Sequence, residues 1–243
     1  MKGLRNLSSM LVMALLLLVP SITKAAEQKV LGFEGKHAPV WYLKATRPYL
    51  IGGYGDNFNY DGSRVSPLLG TAEAALDAEK ETGEMVVRIT GTINPEKGKT
   101  YTGDITIYFH PVKGGPPFFE GGVADFIYIH GDTKQGPPVM PKTRTFLAAW
   151  GKADIYVNGR LVYKDLDGHM MYTERVRDRI TKAIYNHDRS GYYSPRNPSD
   201  YSVAAPDERE LHFVAHSEKK DPGNFPPNTV WIHLNFENAG DEM

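Results

Sequence analysis

The sequence predicts a mainly β protein, an antiparallel β-sandwich of jelly-roll or immunoglobulin-like type with one or two short helices. Apolar and polar residues alternate strictly in several short stretches, among them Asp104 to His110 and Ala124 to His130. Such alternation is typical of half-buried antiparallel strands. Turn residues separate the stretches, and strands and helices do not alternate as they would around a parallel sheet. A closed barrel is the next choice.

The clearest local signal is a hairpin within Asp154 to Tyr163, where two β-rich arms flank Asn158-Gly159. Asn-Gly favours a two-residue turn of type I′ because both central residues adopt positive φ angles. A second turn at Asp165 to Gly168 is expected to lead into a third strand, His169 to Thr173. The pattern therefore predicts a three-stranded meander.

The other elements are predicted from residue type and spacing. Further strands are expected at Val86 to Ile93, Glu210 to Ser217 and Thr229 to Phe236, with at most a short strand near Trp41. Thr71 to Glu81 contains four alanines and is expected to be a helix, with Thr71 as its cap. Residues 174–186 have apolar residues at helical spacing, so they form either a second helix or a continuation of the preceding strand.

Residues 1–25 have the features of a cleavable signal peptide. Lys2 and Arg5 precede an apolar run from Met10 to Val19, and Ala25 ends a small-residue cleavage site. The apolar run has about half of the roughly 20 residues needed to span a bilayer. We therefore expect a periplasmic or secreted protein without stable membrane insertion. Residues 26–85 are expected to form a Gly- and Tyr-rich segment packed on a main β domain of residues 86–243.

Composition excludes several classes of function. The chain contains no cysteine, which removes thiol catalysis, cysteine-based metal sites and disulfides. Residues 1–25 contain three basic residues and no acidic one, so the remaining chain has 25 Lys and Arg against 29 Asp and Glu. This mildly acidic balance gives no electrostatic reason to bind nucleic acid.

Histidine and aromatic residues recur on the less apolar side of the predicted strands. If these sides belong to one sheet, they form a surface suited to recognising a small molecule, a glycan or a peptide. Otherwise they are ordinary residues on solvated strand faces. The candidate ligand-binding residues are Tyr108, His110, Tyr128, His130, Trp231 and His233.

Metal binding is the alternative interpretation, because histidine is the commonest metal ligand in proteins. No short histidine motif of a known metal site is present, so the ligands would come from neighbouring strands. His110, His130 and His233 are the candidates for a transition-metal site. No catalytic constellation stands out, although His130-Gly131-Asp132 is well placed at a strand end. The sequence thus favours an exported ligand-binding protein over a metal-binding protein or metalloenzyme, and leaves open whether it is an enzyme.

Overall fold

The computed structural model describes residues 32–36, 38, 40–115, 121–136, 140–184 and 205–241. The predicted signal peptide lies outside these residues and stays a prediction. Within the described ranges, no helix has the length and apolar character needed to cross a membrane.

Ten strands and one short 3-10 helix, Gly131–Thr133, form the described secondary structure. The strands are β1 (Trp41–Ile51), β2 (Val65–Pro67), β3 (Leu69–Asp77), β4 (Thr82–Glu96), β5 (Lys99–Pro111), β6 (Gly122–Ile129), β7 (Thr143–Val157), β8 (Arg160–Arg175), β9 (Ala205–His216) and β10 (Trp231–Asp241).

Eight of these strands close into an antiparallel barrel, so the predicted sandwich is wrong. The order around the barrel is β1, β3, β4, β5, β7, β8, β9, β10 and back to β1. The closing pair is β1 with β10, in register from Leu43 opposite Asp241 to Leu50 opposite Leu234. This contact joins the two ends of the sheet, whereas a sandwich would leave free edges in two separate sheets. Because β1 and β3 are barrel strands, both predicted segments of the chain contribute to one barrel.

Apolar side chains fill the barrel. On β4, for example, Met85, Val87 and Ile89 are buried, and the residues between them point outward. An eight-stranded barrel is just wide enough for its interior to be filled by side chains. The described interior of the barrel is therefore a packed core.

The helix predicted at Thr71 to Glu81 is instead strand β3, which pairs with β1 and β4. Ala72, Ala74 and Leu76 are buried in the barrel, and the residues between them face outward. The high helix propensity of alanine is only a weak preference, and tertiary packing overrides it here. The small side chains of Ala72 and Ala74 lie opposite the larger Val87 and Met85 of β4.

The expected turn at Asp165 to Gly168 is also wrong. Of the two alternatives for residues 174–186, the helix is wrong, and the continuation of the preceding strand is confirmed as far as Arg175. Strand β8 runs without interruption from Arg160 to Arg175, so there is no separate third strand of a meander. Its register against β7 shifts near Ala153, and Asp165 has a φ of 53°. The turn residues are therefore taken up as irregularities within a long strand. Residues 176–184 contain no helix, and residues 185–186 lie outside the described part of the chain.

The Asn158-Gly159 hairpin is confirmed. Val157 pairs with Arg160 across the turn, and Asn158 and Gly159 have φ angles of 50° and 75°. We expect Gly159→Val to lower the free energy of unfolding by about 1–3 kcal/mol, because a β-branched residue is strained at positive φ. Urea denaturation measures this change. A Cβ atom at Gly159 would meet no atom within 4 Å, so backbone strain alone would cause it.

Gly240→Val is the matched control for this prediction. Gly240 is an exposed residue of β10, has no φ in the left-handed region, and an added Cβ would also meet nothing within 4 Å. Its free energy of unfolding should stay within about 0.5 kcal/mol of the parent. Equal stability of the Gly159 and Gly240 variants would contradict the type I′ assignment.

Candidate functional site

The outer face of β8, β9 and β10 carries most of the described histidines. Pairing places Val214 between His169 and His233 in one cross-strand row. His212 and His216 lie on β9 on either side of Val214 and point to the same face. Residues one position away, such as Phe213, point into the barrel core instead. Because side chains alternate along these strands, His169, His212, His216 and His233 lie together on one outer face, called the histidine patch below.

Loop residues cover this patch and bury it. Phe58, Met140 and Ile184 come from three separate loops and pack on Val214 and Trp231. The rings of Phe58 and Trp231 meet edge to face with their centroids 5.7 Å apart. His212 and His233 beneath therefore lie in a second, smaller core outside the barrel, whereas His169 and His216 are half-buried.

Arg177 fixes the loop that contains Phe58. Its guanidinium is fully buried and donates hydrogen bonds to the backbone carbonyls of Phe58 (2.6 Å), Asn59 (2.8 Å) and Lys182 (2.8 Å). Loops seldom bury their carbonyl groups because these groups need hydrogen-bond donors. One arginine supplies the donors here and holds Phe58 against the histidine patch.

Two adjoining cavities remain between the loops and the strands. The outer cavity has a volume of about 500 Å³ and reaches the surface beside Phe225 and Lys220. The inner chamber has a volume of about 50 Å³ and also contacts His212 and His233. The residues that line both are Phe58, Ile129, His130, His169, Met171 and Trp231.

Three buried side chains at the outer cavity have polar atoms without a hydrogen-bond partner. Both amide atoms of Gln135, Nδ1 of His130 and Nε1 of Trp231 are unpaired. Gln135 is only 2% exposed, and His130 and Trp231 are 8% and 7% exposed. Buried polar groups are normally paired, because leaving one unpaired costs about 1–3 kcal/mol. Of the twelve such atoms in the described part of the chain, four belong to side chains that line this cavity, where a ligand would supply the partners.

Three histidines of the site, His130, His169 and His233, have pKa values below the usual value, which favours their neutral form. Burial, with a smaller contribution from the charge of nearby His212, lowers the pKa of His130 to about 3. Burial and neighbouring histidines likewise lower the pKa of His169 to about 3. The pKa of His233 also lies well below its usual value, mainly because of burial. Neutral imidazoles can accept or donate one hydrogen bond at each ring nitrogen, and they can bind metals.

A buried carboxylate contacts His212, one of the residues that line the inner chamber. Glu210 is fully buried, and its Oε1 lies 2.7 Å from Nε2 of His212. Burial raises the pKa of Glu210, but His212 and hydrogen bonds from the Val176 backbone and Asn235 bring it below the usual value. Glu210 is therefore an anion at neutral pH, fixed by several donors.

Three of the six candidate ligand-binding residues lie at this site. His130 and Trp231 line both cavities, and His233 lines the inner chamber. Tyr108 and His110 are exposed on β5. Tyr128 is half-buried on β6, where its ring contacts Phe33 and lies 5.1 Å from the Lys142 ammonium.

The three candidate metal ligands do not come together. Along one cross-strand row, His110 on β5 is three strands from His216 on β9, through Lys152 and Asp167. At about 4.8 Å per strand this separates them by roughly 14 Å. His130 and His233 lie at the covered patch, away from His110. Among the described residues, no group of three His, Cys, Asp or Glu side chains has the geometry to hold a metal ion.

Other residues of the site are absent from the predicted set. His169, His212 and His216 alternate with apolar neighbours on β8 and β9, so period-two patterning does place them on the outer face. The alternation pattern does not predict that loops cover this face, and it is this cover that forms the cavities. Gln135 lies in a turn just after the 3-10 helix, where no periodicity marks it.

Comparisons with protein-family models, with curated proteins and with solved structures gave no match for this chain.

Proposed function

We propose that this protein binds a small, flat and largely apolar molecule in the outer cavity, through a hydrogen-bonding edge with a donor next to an acceptor. The observation that carries the proposal is Gln135, whose buried amide has both its donor and its acceptor unpaired. A primary amide pairs with a complementary edge through two parallel hydrogen bonds. Cyclic amides and heteroaromatic lactams have such an edge.

Size and lining support the same class of ligand. A cavity of about 500 Å³ falls within the range of about 300–1,000 Å³ typical of small-molecule sites. Trp150, Trp231 and Phe58 provide aromatic surfaces for a flat ring. Among the described lining residues, Lys220 alone has a charged side chain once the histidines are neutral, and it is exposed.

A sugar or a peptide fits this lining less well. Each sugar hydroxyl or peptide group that is buried needs a hydrogen-bond partner. The buried unpaired polar atoms at the outer cavity are few, and they belong to Gln135, His130 and Trp231. Export to the periplasm or the cell exterior belongs to the proposal, and it rests on the pattern of residues 1–25 alone.

Calorimetric titration with 2-quinolinone tests the proposal. This flat lactam has the required edge, and N-methylation removes its donor. We expect 2-quinolinone to bind, and the N-methyl compound to bind about 10-fold more weakly, since one hydrogen bond contributes about 1–1.5 kcal/mol. Gln135→Leu should abolish the difference between the two compounds.

His110→Ala is the control, because His110 is exposed on β5 and lines neither cavity. It should bind both compounds as the parent does. Glucose and trialanine, titrated in parallel, represent the sugar and peptide alternatives. Tighter binding of either one, or unchanged discrimination in Gln135→Leu, would contradict the lactam-type ligand.

A further inference from the structure

The inner chamber is a side pocket of the outer cavity, because six residues line both spaces. The inner chamber has a volume of about 50 Å³. One water molecule occupies about 30 Å³ in the liquid, so the chamber has room for roughly two non-hydrogen atoms. A space of this size accommodates a short substituent of a larger ligand and not a second ligand.

Thr173 of β8 has an unpaired hydroxyl group at this chamber. Seven described side chains line the inner chamber and not the outer cavity, and of these only Thr173 has a buried polar atom without a hydrogen-bond partner. Thr173 is 1% exposed. Thr143 of the same chamber shows the ordinary situation, since its Oγ1 donates to the Pro141 carbonyl at 2.9 Å. Buried hydroxyl groups normally have partners, so Thr173 indicates a polar group supplied by a ligand.

The sheet fixes the hydroxyl group of Thr173 in place. Thr173 lies opposite Thr145 on β7 and opposite Glu210 on β9, so its strand is paired on both sides. Threonine also has few side-chain rotamers because it branches at Cβ. A hydroxyl group held in this way is preorganised, which lowers the entropic cost of a hydrogen bond to a ligand.

We propose that the ligand of the outer cavity has a hydroxymethyl group, which enters the inner chamber and forms a hydrogen bond with Oγ1 of Thr173. The inference rests on a flat ligand in the outer cavity, as proposed above, and adds a substituent on the ring edge remote from Gln135, which lines the outer cavity alone. One carbon and one oxygen atom match the volume of the chamber. A hydroxyl group both donates and accepts, so it can pair with Thr173 in either direction.

Other small substituents fit the chamber less well. None of the described residues that line it is Asp, Glu, Lys or Arg, so a buried carboxylate or ammonium group would have no opposite charge beside it, which is costly. A methyl group would leave the hydroxyl of Thr173 unpaired. Val176 and Val214 line the inner chamber and not the outer cavity, and they provide apolar contacts for the methylene carbon.

Benzyl alcohol and toluene test the chamber without a lactam edge. NMR titration of the whole protein measures both affinities, in the parent and in Thr173→Val, which replaces the hydroxyl by a methyl group. We expect Thr173→Val to weaken benzyl alcohol binding about 10-fold, the loss expected for one hydrogen bond, and to leave toluene binding unchanged. In the parent, nuclear Overhauser effects should connect the methylene protons of benzyl alcohol to the methyl groups of Val176 and Val214.

Thr106→Val is the matched control, because Thr106 is on β5 and lines neither cavity. It should bind both compounds as the parent does. Thr173→Val should fold with a urea midpoint at or above that of the parent, because the hydroxyl it loses has no partner in the protein. A lower midpoint would overturn the proposal. So would the absence of benzyl alcohol binding, unchanged affinity in Thr173→Val, an equal loss for toluene, or Overhauser effects from the methylene protons to the outer cavity alone.

Titration of 2-quinolinone with the same proteins separates this proposal from the proposed ligand class. If benzyl alcohol binding depends on Thr173 and 2-quinolinone binding does not depend on Gln135, the lactam edge is wrong and the hydroxymethyl chamber is supported. If 2-quinolinone binds as expected and Thr173→Val does not affect benzyl alcohol, only the assignment of the inner chamber is wrong.

Discussion

Arg177→Ala is expected to lower the free energy of unfolding by about 3–5 kcal/mol, because each buried acceptor left unpaired costs about 1–3 kcal/mol. The substitution removes the donors for the carbonyls of Phe58, Asn59 and Lys182. It also leaves a cavity where a fully buried guanidinium lay. Urea denaturation measures the loss. Displacement of Phe58 from Trp231 should shift the tryptophan emission to longer wavelength before global unfolding.

Arg179→Ala controls for the loss of a positive charge two residues away. The Arg179 side chain is 53% exposed and pairs with Glu208 at 3.0 Å, a type of surface pair that contributes about 0–1 kcal/mol. The loss of unfolding free energy in Arg177→Lys should lie between the losses in Arg177→Ala and Arg179→Ala, because one ammonium group cannot reproduce the several hydrogen bonds of a guanidinium group. A loss below about 1 kcal/mol in Arg177→Ala would show that the loop is held by other contacts.

Strands with strong local patterns were predicted from the sequence. The alternation of Asp104 to His110 lies within β5, and the Asn158-Gly159 turn joins β7 to β8. Both features depend on neighbouring residues only, namely side-chain period and turn chemistry. The alanines of β3 show the limit of such reasoning, because their environment is set by strands that pair from elsewhere in the chain.

Closure of the barrel could not be predicted in this way. It depends on β1 pairing with β10, for example Leu43 with Asp241, which are at opposite ends of the described chain. A strand with one buried face shows the same alternation in a sandwich and in a barrel. Which sheet edges meet is decided by long-range pairing, and alternation carries no information about it.

Only part of the candidate site could be predicted from the sequence, because its loop cover also depends on long-range contacts. Patterning places His110 and His233 on the outer sides of their strands, and the structure agrees in both positions. His110 remains exposed, whereas His233 is buried because loops cover β8 to β10 and not β5. The cover depends on tertiary contacts such as those of Arg177, which have no local signature.

The protein is expected to lose stability steeply as the pH falls from 7 to 5. The pKa values of His130 and His169 are lowered to about 3 in the folded protein, against about 6.5 in an unfolded chain. Below pH 6.5 the unfolded chain therefore binds protons that the folded protein does not, so acid favours unfolding. Stability is fully present above pH 6.5 and is lost progressively toward pH 3. Each histidine should contribute about 2 kcal/mol between pH 7 and 5, or about 4 kcal/mol together.

Urea denaturation at pH 7, 6 and 5 measures this dependence. His169→Gln should remove one of the protons that the unfolded chain binds and the folded protein does not. It should therefore reduce the slope of the unfolding free energy against pH by about 1.4 kcal/mol per pH unit below pH 6. His110→Gln, at an exposed histidine of β5 that lines neither cavity, is the matched control for the loss of an imidazole. Parallel slopes for all three proteins would show that His169 takes up its proton without unfolding. The loop cover over β8 to β10 would then open to water at low pH.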